Sequence, residues 1–120
     1  MDIFCKIINE EIKSYTIFED EIVRVIMDVN PRSDGHCLVI PKNHYQDLYD
    51  INDDVLAHIM KIAGDISKML NKKLGCEGIT LEENNGICQE VKHFHLHIIP
   101  KYSKNVDKLD TEEVFHKIVD

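Results

Sequence analysis

Three histidines at every second position, His93, His95 and His97, stand inside a run of aromatic and β-branched residues that closes on Pro100. Alternation of this kind is the period of a β-strand and not of a helix. A strand rises ~3.3 Å per residue and turns successive side chains to opposite faces, which places the three imidazoles on one face about 6.6 Å apart and Phe94, Leu96 and Ile98 on the other. One face serves the core, the other chemistry. A lone strand histidine is usually a satisfied structural residue, but three in register are an unfavourable way to fill an interior.

Aligned imidazoles can bind a metal, or they can handle phosphate as nucleophile, donor and acid. A His-x-His pair can supply two ligands of a catalytic zinc or iron, yet such sites add a third histidine or a carboxylate and keep an open position. The nearest carboxylates after the triad are Asp107 and Asp110. In the phosphate reading the middle histidine attacks phosphorus and splits one displacement into two easier steps through a phosphoryl-imidazole intermediate. At an effective dielectric of ~20, two imidazolium charges ~6.6 Å apart repel by roughly 2.5 kcal/mol. The triad is therefore expected to resist full protonation near neutrality, which keeps a nitrogen free to attack.

The elements that must position these residues follow from the rest of the chain. A short amphipathic turn covers residues 3–9, and strands are expected over 15–19 and 22–28, joined by the acidic turn at Glu19, Asp20 and Glu21. Residues 30–35 are loop chemistry, and the next strand, 36–41, ends at Pro41. A long helix then starts at the N-cap Asn52, with Asp53 and Asp54 in its first turn, and stops at Lys72, Lys73 and Gly75. Its stripe of Val55, Leu56, Ile59, Ile62, Ala63, Ile66, Met69 and Leu70 runs over about 33 Å and is either core or dimer packing. Strands over 79–83 and 93–99 and a terminal helix over 111–119 complete the pattern. The fold class is α+β: a five-stranded, mostly antiparallel sheet with one long helix and short terminal helices.

Composition bounds the function. At 120 residues, 43% of them hydrophobic, the chain is expected to make one domain spanning 1–120 around one core. A net charge of −8 argues against a nucleic-acid partner, because such binders need a basic face to release counterions. Cys5, Cys37, Cys76 and Cys88 form no C-x-x-C pair, and neither a signal peptide nor an apolar run of membrane length is seen. The expectation is a reducing compartment, the cytoplasm, with free thiols and no membrane contact. Open edges on so small a sheet point to a homodimer.

The triad resembles the signature of the histidine triad (HIT) family, His-x-His-x-His followed by two apolar residues, and the likeness continues through most of the chain in family order. It includes Phe4 to Ile8, residues 15–31, Gly35 to His44 with its Pro-Lys-x-His exit, Asn84-Asn85-Gly86, and Gln89-Glu90-Val91 abutting His93. The resemblance implies that His95 is the nucleophile toward the α-phosphorus of a purine nucleotide, that His93 fixes ring geometry, and that His97 lies against phosphate and leaving group. By the same likeness the Gln89 amide contacts the phosphates, Glu90 beside it belongs to the substrate-binding set, Asn84 holds the nucleotide, Asp28 accepts both ribose hydroxyls, and Val29, Ile7 and Phe4 line the nucleoside pocket. His44 matches a fourth histidine near the site.

Two departures qualify the likeness. Only Ile87 and Cys88 separate Gly86 from Gln89, where four residues are usual, so the loop whose amides face phosphate is two residues short. Relatives from bacteria often carry Cys-x-x-Cys at the start and bind zinc there with two histidines, whereas this chain has Asp2 before Cys5; a structural zinc at Cys5, His44 and His93 is therefore less expected, and no cofactor is required for the chemistry. The implied activity is hydrolysis at the α-phosphate of purine nucleoside phosphoramidates or related conjugates. Its rivals are cleavage of dinucleoside polyphosphates and a purine-nucleotide-binding interaction protein with vestigial turnover.

Overall fold

A computed structural model of the chain describes residues 1–104 and 108–120. Five strands, β1 (Thr16–Glu19), β2 (Val23–Met27), β3 (Cys37–Pro41), β4 (Gly78–Glu82) and β5 (Leu96–Lys101), form one sheet in the order β1-β2-β3-β5-β4. Every pairing is antiparallel. Helix α1 (Ile3–Ile8), the long helix α2 (Asp53–Leu74) and the terminal helix α3 (Thr111–Val119) complete the α+β architecture, with a 3-10 turn at Gly86–Cys88. None of the helices among the described residues is long and apolar enough to cross a membrane.

The two-residue period of the central strands sorts their side chains between two layers. Val23, Val25, Met27, Cys37, Val39, Leu96 and Ile98 join Ile59, Ile62, Ala63, Ile66 and Leu70 of α2 in the main core. Their alternates Ile26, Leu38 and Ile40 meet Phe4 and Ile7 of α1 in a smaller cluster on the opposite face. The stripe of α2, open to two uses from sequence, is thus spent on the chain's own sheet. Helix α2 has the termini its sequence demands: Asn52 accepts from the amides of Asp54 and Val55, and Gly75 closes the helix in the left-handed region at φ 70°.

Strand β5 departs from expectation at its start. It begins at Leu96 and not at His93, because the Phe94 amide donates to the Tyr45 carbonyl at 2.7 Å outside the sheet. His93 therefore leaves the row that His95 and His97 share. On the α1 side a buried guanidinium ties helix to sheet: Arg24 donates to the Ile7 carbonyl at 2.8 Å and pairs with Glu10 and Glu19, and Glu19 also holds Lys42. A buried charge of this kind is tolerated because it is both paired and hydrogen-bonded.

Candidate functional site

The hydrogen bonds around each imidazole state which nitrogen is free. Nδ1 of His95 lies 2.8 Å from the His93 carbonyl, which can only accept, so Nδ1 carries the proton and Nε2 presents its lone pair. The Arg32 backbone N–H donates to Nδ1 of His36 at 3.0 Å, so the proton of neutral His36 sits on Nε2. That Nε2–H donates in turn to Nδ1 of His97 at 2.9 Å. Neutral His97 must then carry its own proton on Nε2. One histidine offers a lone pair, and its neighbour offers an N–H.

Burial keeps the His36 and His97 rings neutral. Burial, followed by the neighbouring His95 and His36, pushes His97 down to about 4. Burial likewise lowers His36, with Asp28 opposing: its Oδ2 lies 3.4 Å from His36 Nε2 and 3.9 Å from His97 Nδ1. The expected resistance to full protonation is present, and desolvation is a larger cause of it than repulsion between rings.

His95 and His97 face a cavity of about 410 Å³ with an apolar and a polar end. Phe4, Ile7, Ile26 and Leu38 close the apolar end, and Asp28, Asn84, Glu82 and Arg32 surround the polar one. The Phe4 ring lies 4.9 Å from that of His95, so α1 also sets the position of the central imidazole. Asn84 turns its amide to Glu82, which the Arg32 guanidinium and Asn84 together hold down at about 2. Val29 and Glu90 border the cavity too, but Val29 is 76% exposed and forms rim more than wall.

Three expected site residues lie elsewhere. Gln89 is buried outside the cavity with Nε2 donating to the Gln46 carbonyl at 2.5 Å, and its Oε1 has no partner. The short loop closes as a 3-10 turn with the Gln89 amide bonded to the Gly86 carbonyl, which leaves Cys88 and not Gln89 on the cavity wall. His93 and His44 are absent from the cavity and meet Cys5 and Asp2 behind it. In place of His44, the third histidine of the cavity system is His36, bonded to His97 behind the cavity wall, which sequence reasoning passed over. Its signal was the alternation of His36, Leu38 and Ile40, which puts all three on the α1 face. Of the two nearest carboxylates after the triad, Asp107 is outside the described residues and Asp110 precedes α3.

The second cluster fits a metal. Asp2, Cys5, His44 and His93 each offer one donor atom, all within 4.8 Å of one another. His93 donates from Nε2 to the Pro41 carbonyl at 2.9 Å, so its Nδ1 turns a lone pair toward Cys5 Sγ at 3.4 Å and Asp2 Oδ2 at 3.3 Å. His44 Nδ1 lies 3.0 Å from Asp2 Oδ2 and 3.6 Å from Cys5 Sγ. One sulfur, two nitrogens and one oxygen suit tetrahedral zinc.

Comparison with known proteins agrees with this geometry. Residues 9–104 match the model of the HIT domain. An uncharacterised HIT-like protein of Methanocaldococcus jannaschii is 42% identical, with 98% of each chain covered. An adenosine 5′-monophosphoramidase of Saccharomyces cerevisiae is 42% identical over 82% of this chain and 61% of its own. The crystal structure of a zinc-bound histidine triad family protein from Mycobacterium smegmatis superposes with a TM-score of 0.89 at 30% identity, covering 97% of this chain and 88% of that one.

Proposed function

The chain belongs to the HIT family, and from that premise we propose that it is a nucleotide hydrolase acting at the α-phosphate of purine nucleoside phosphoramidates or related conjugates. The observation that carries this reading is the free Nε2 of His95 on the cavity wall beside the N–H-bearing Nε2 of His97. The name of the yeast relative, an adenosine 5′-monophosphoramidase, supports the substrate class.

In this reading the base and ribose lie between Phe4, Ile7 and Val29, with Asp28 accepting from the ribose hydroxyls and Asn84 against the nucleotide. His95 Nε2 attacks the α-phosphorus, and a P–N bond to the ring forms as the bond to the leaving nitrogen or oxygen breaks. His97 Nε2–H hydrogen-bonds the departing group, which leaves with a proton taken from solvent; water then attacks the same phosphorus, the bond from phosphorus to His95 breaks, and the proton that water sheds passes to solvent, which returns His95 to its starting state. Positioned N–H donors stabilise the charge that develops on the phosphoryl oxygens. Zinc held by Asp2, Cys5, His44 and His93 would be a structural tie between α1 and the start of the triad segment. We further propose that the 1–120 chain works as one HIT domain, cytoplasmic and homodimeric, with no nucleic-acid or membrane partner.

The withdrawal of Gln89 from the cavity favours one rival, a nucleotide-binding protein with vestigial turnover. Acid-quenched mixtures with adenosine 5′-phosphoramidate separate the two. Steady release of AMP and a nucleotidyl adduct on the intact chain, both lost in His95→Ala while AMP binding survives, support the hydrolase. Retained turnover in that variant would sink the covalent route.

A further inference from the structure

The register of the sheet gives the nucleotide cavity a direction. Residues directly opposite each other on antiparallel strands share a face, and adjacent strands lie about 4.8 Å apart. Along one such row β4 brings Glu82 to His97, β3 brings Leu38 to His97, and β2 brings Ile26 to Leu38. All four line the cavity. The reacting end therefore lies over β5, and the apolar end lies toward β2 and the β1 edge.

The neighbouring row carries polar groups to that edge. Thr16 stands opposite Ile26, and the Met27 amide donates to the Tyr15 carbonyl at 2.9 Å, so the chain before β1 continues the pairing and sets Ser14 beside Asp28. With Asp28 on the ribose and His97 on the phosphate, Ile12, Lys13 and Ser14 occupy the side of Asp28 away from His97, which is the side of the base. Ile3, Phe4, Ile7 and Ile12 offer a base only apolar surface. Ser14 Oγ shares a hydrogen bond with Thr16 Oγ1 at 3.1 Å. Arg32, the other cation on the lining besides Lys13, is tied to Glu82 at 2.7 Å. Lys13 is thus the charge that the base end presents to a ligand.

An ammonium donates hydrogen bonds and cannot accept them. A 6-oxopurine sets two acceptors, O6 and N7, side by side on one edge, whereas adenine sets an amino donor beside N7. We propose that Lys13 reads this edge and that the site prefers guanosine and inosine 5′-conjugates over adenosine ones. The inference rests on the nucleotide-hydrolase reading and narrows its purine. Lys13 Nζ, on its flexible four-carbon stem, donates to O6 and N7 of the oxopurine; against adenine it meets the amino group, donor against donor. Lys13 touches no reacting atom, so the selection is expressed in KM.

The test compares the 5′-phosphoramidates of adenosine, guanosine and inosine in the wild type, Lys13→Met and Lys13→Arg. Lys13 is exposed, and an unchanged Tm in each variant shows that the fold is intact. The expected result is a wild-type KM lower by about tenfold for both oxopurines than for adenosine. Lys13→Met should abolish that preference, and Lys13→Arg, whose fork also matches O6 and N7, should keep it. Equal or lower KM for adenosine in the wild type would overturn the assignment. A gain for guanosine that inosine does not share would place recognition on the 2-amino group and refute the lysine contact. Losses of the same size for all three substrates in Lys13→Met would put the ammonium on ribose or phosphate and refute it as well. If none of these compounds is hydrolysed, the hydrolase reading has failed and calorimetry decides the base contact alone. Tighter binding of IMP than of AMP, lost in Lys13→Met, supports it, and equal binding refutes it.

Discussion

Nε2 of His36 lies 2.9 Å from Nδ1 of His97, and the proton between them belongs to His36. The Arg32 amide leaves His36 no other neutral tautomer, and His36 leaves His97 none. A backbone amide thus determines, through two rings, the proton that a leaving group would meet.

Removing that relay should lower kcat more than it alters binding. His36→Phe keeps a flat ring but no donor, and kcat toward the phosphoramidate is expected to fall roughly 10²-fold with KM little changed. His36→Asn restores an N–H and should recover part of the rate. Equal rates in the wild type and the phenylalanine variant would show that the His97 tautomer does not matter.

Stability should fall as the solution is acidified. His36 and His97 are both held below the ordinary imidazole value, His97 at about 4, with burial the first cause. The unfolded chain therefore takes up protons first, so the contribution of these neutral rings is fully present above about pH 6.5 and is lost as pH drops toward 4. A lower Tm at about pH 5 than at about pH 7 is expected. A flat or rising Tm over that window would contradict it.

Chelation should separate structure from turnover. The Asp2, Cys5, His44 and His93 donors suit zinc, yet none of them lines the cavity. Purified protein is expected to carry one zinc per chain, and stripping it should lower Tm while kcat stays within about twofold, since a structural site contributes folding energy and not a reaction step. Loss of turnover on chelation with recovery on zinc addition would transfer the metal to the reaction.

Gly35→Ala tests the seat of His36. Gly35 has φ 92°, and an added Cβ would stand 2.6 Å from Leu74 Cδ1 and 3.2 Å from Pro100 Cγ. Strain and overpacking together should cost about 1–3 kcal/mol in denaturant unfolding. A variant as stable as the wild type would show that the neighbouring side chains yield.

Sedimentation tests the homodimer. Strand β4 is an edge of the sheet, and Leu81 on it is 41% exposed. A species at twice the 13.9 kDa chain mass is expected, shifting to the monomer in Leu81→Asp. A wild-type species at the chain mass would refute the dimer.

Sequence order carried the sheet, the caps of α2 and the sorting of Phe94, Leu96 and Ile98 into the core, because each depends on periodicity or on residues a few positions apart. The cavity face of the triad was legible for His95 and His97 only. His93 leaves it because the Phe94 amide bonds to Tyr45, a contact between segments far apart in the chain. The exchange of roles between His36 and His44 has the same origin: β3 pairs with β5 so that Leu38 meets His97, and that register brings in the histidine two residues earlier. Position alone favoured His44, whose Pro-Lys-x-His setting is the more visible. Gln89 was misplaced because a three-residue turn reverses the chain there, and spacing does not say to which side.

Helix α1 is pinned at both ends, by Arg24 on the Ile7 carbonyl and by Asp2 within the donor cluster that includes His93. Such a wall has little freedom to lose when a nucleotide arrives, so the ordering entropy charged to many closing sites is small here. Association should then run as a single fast step with no slow closing phase. Discrimination between ligands would fall on how quickly each one leaves.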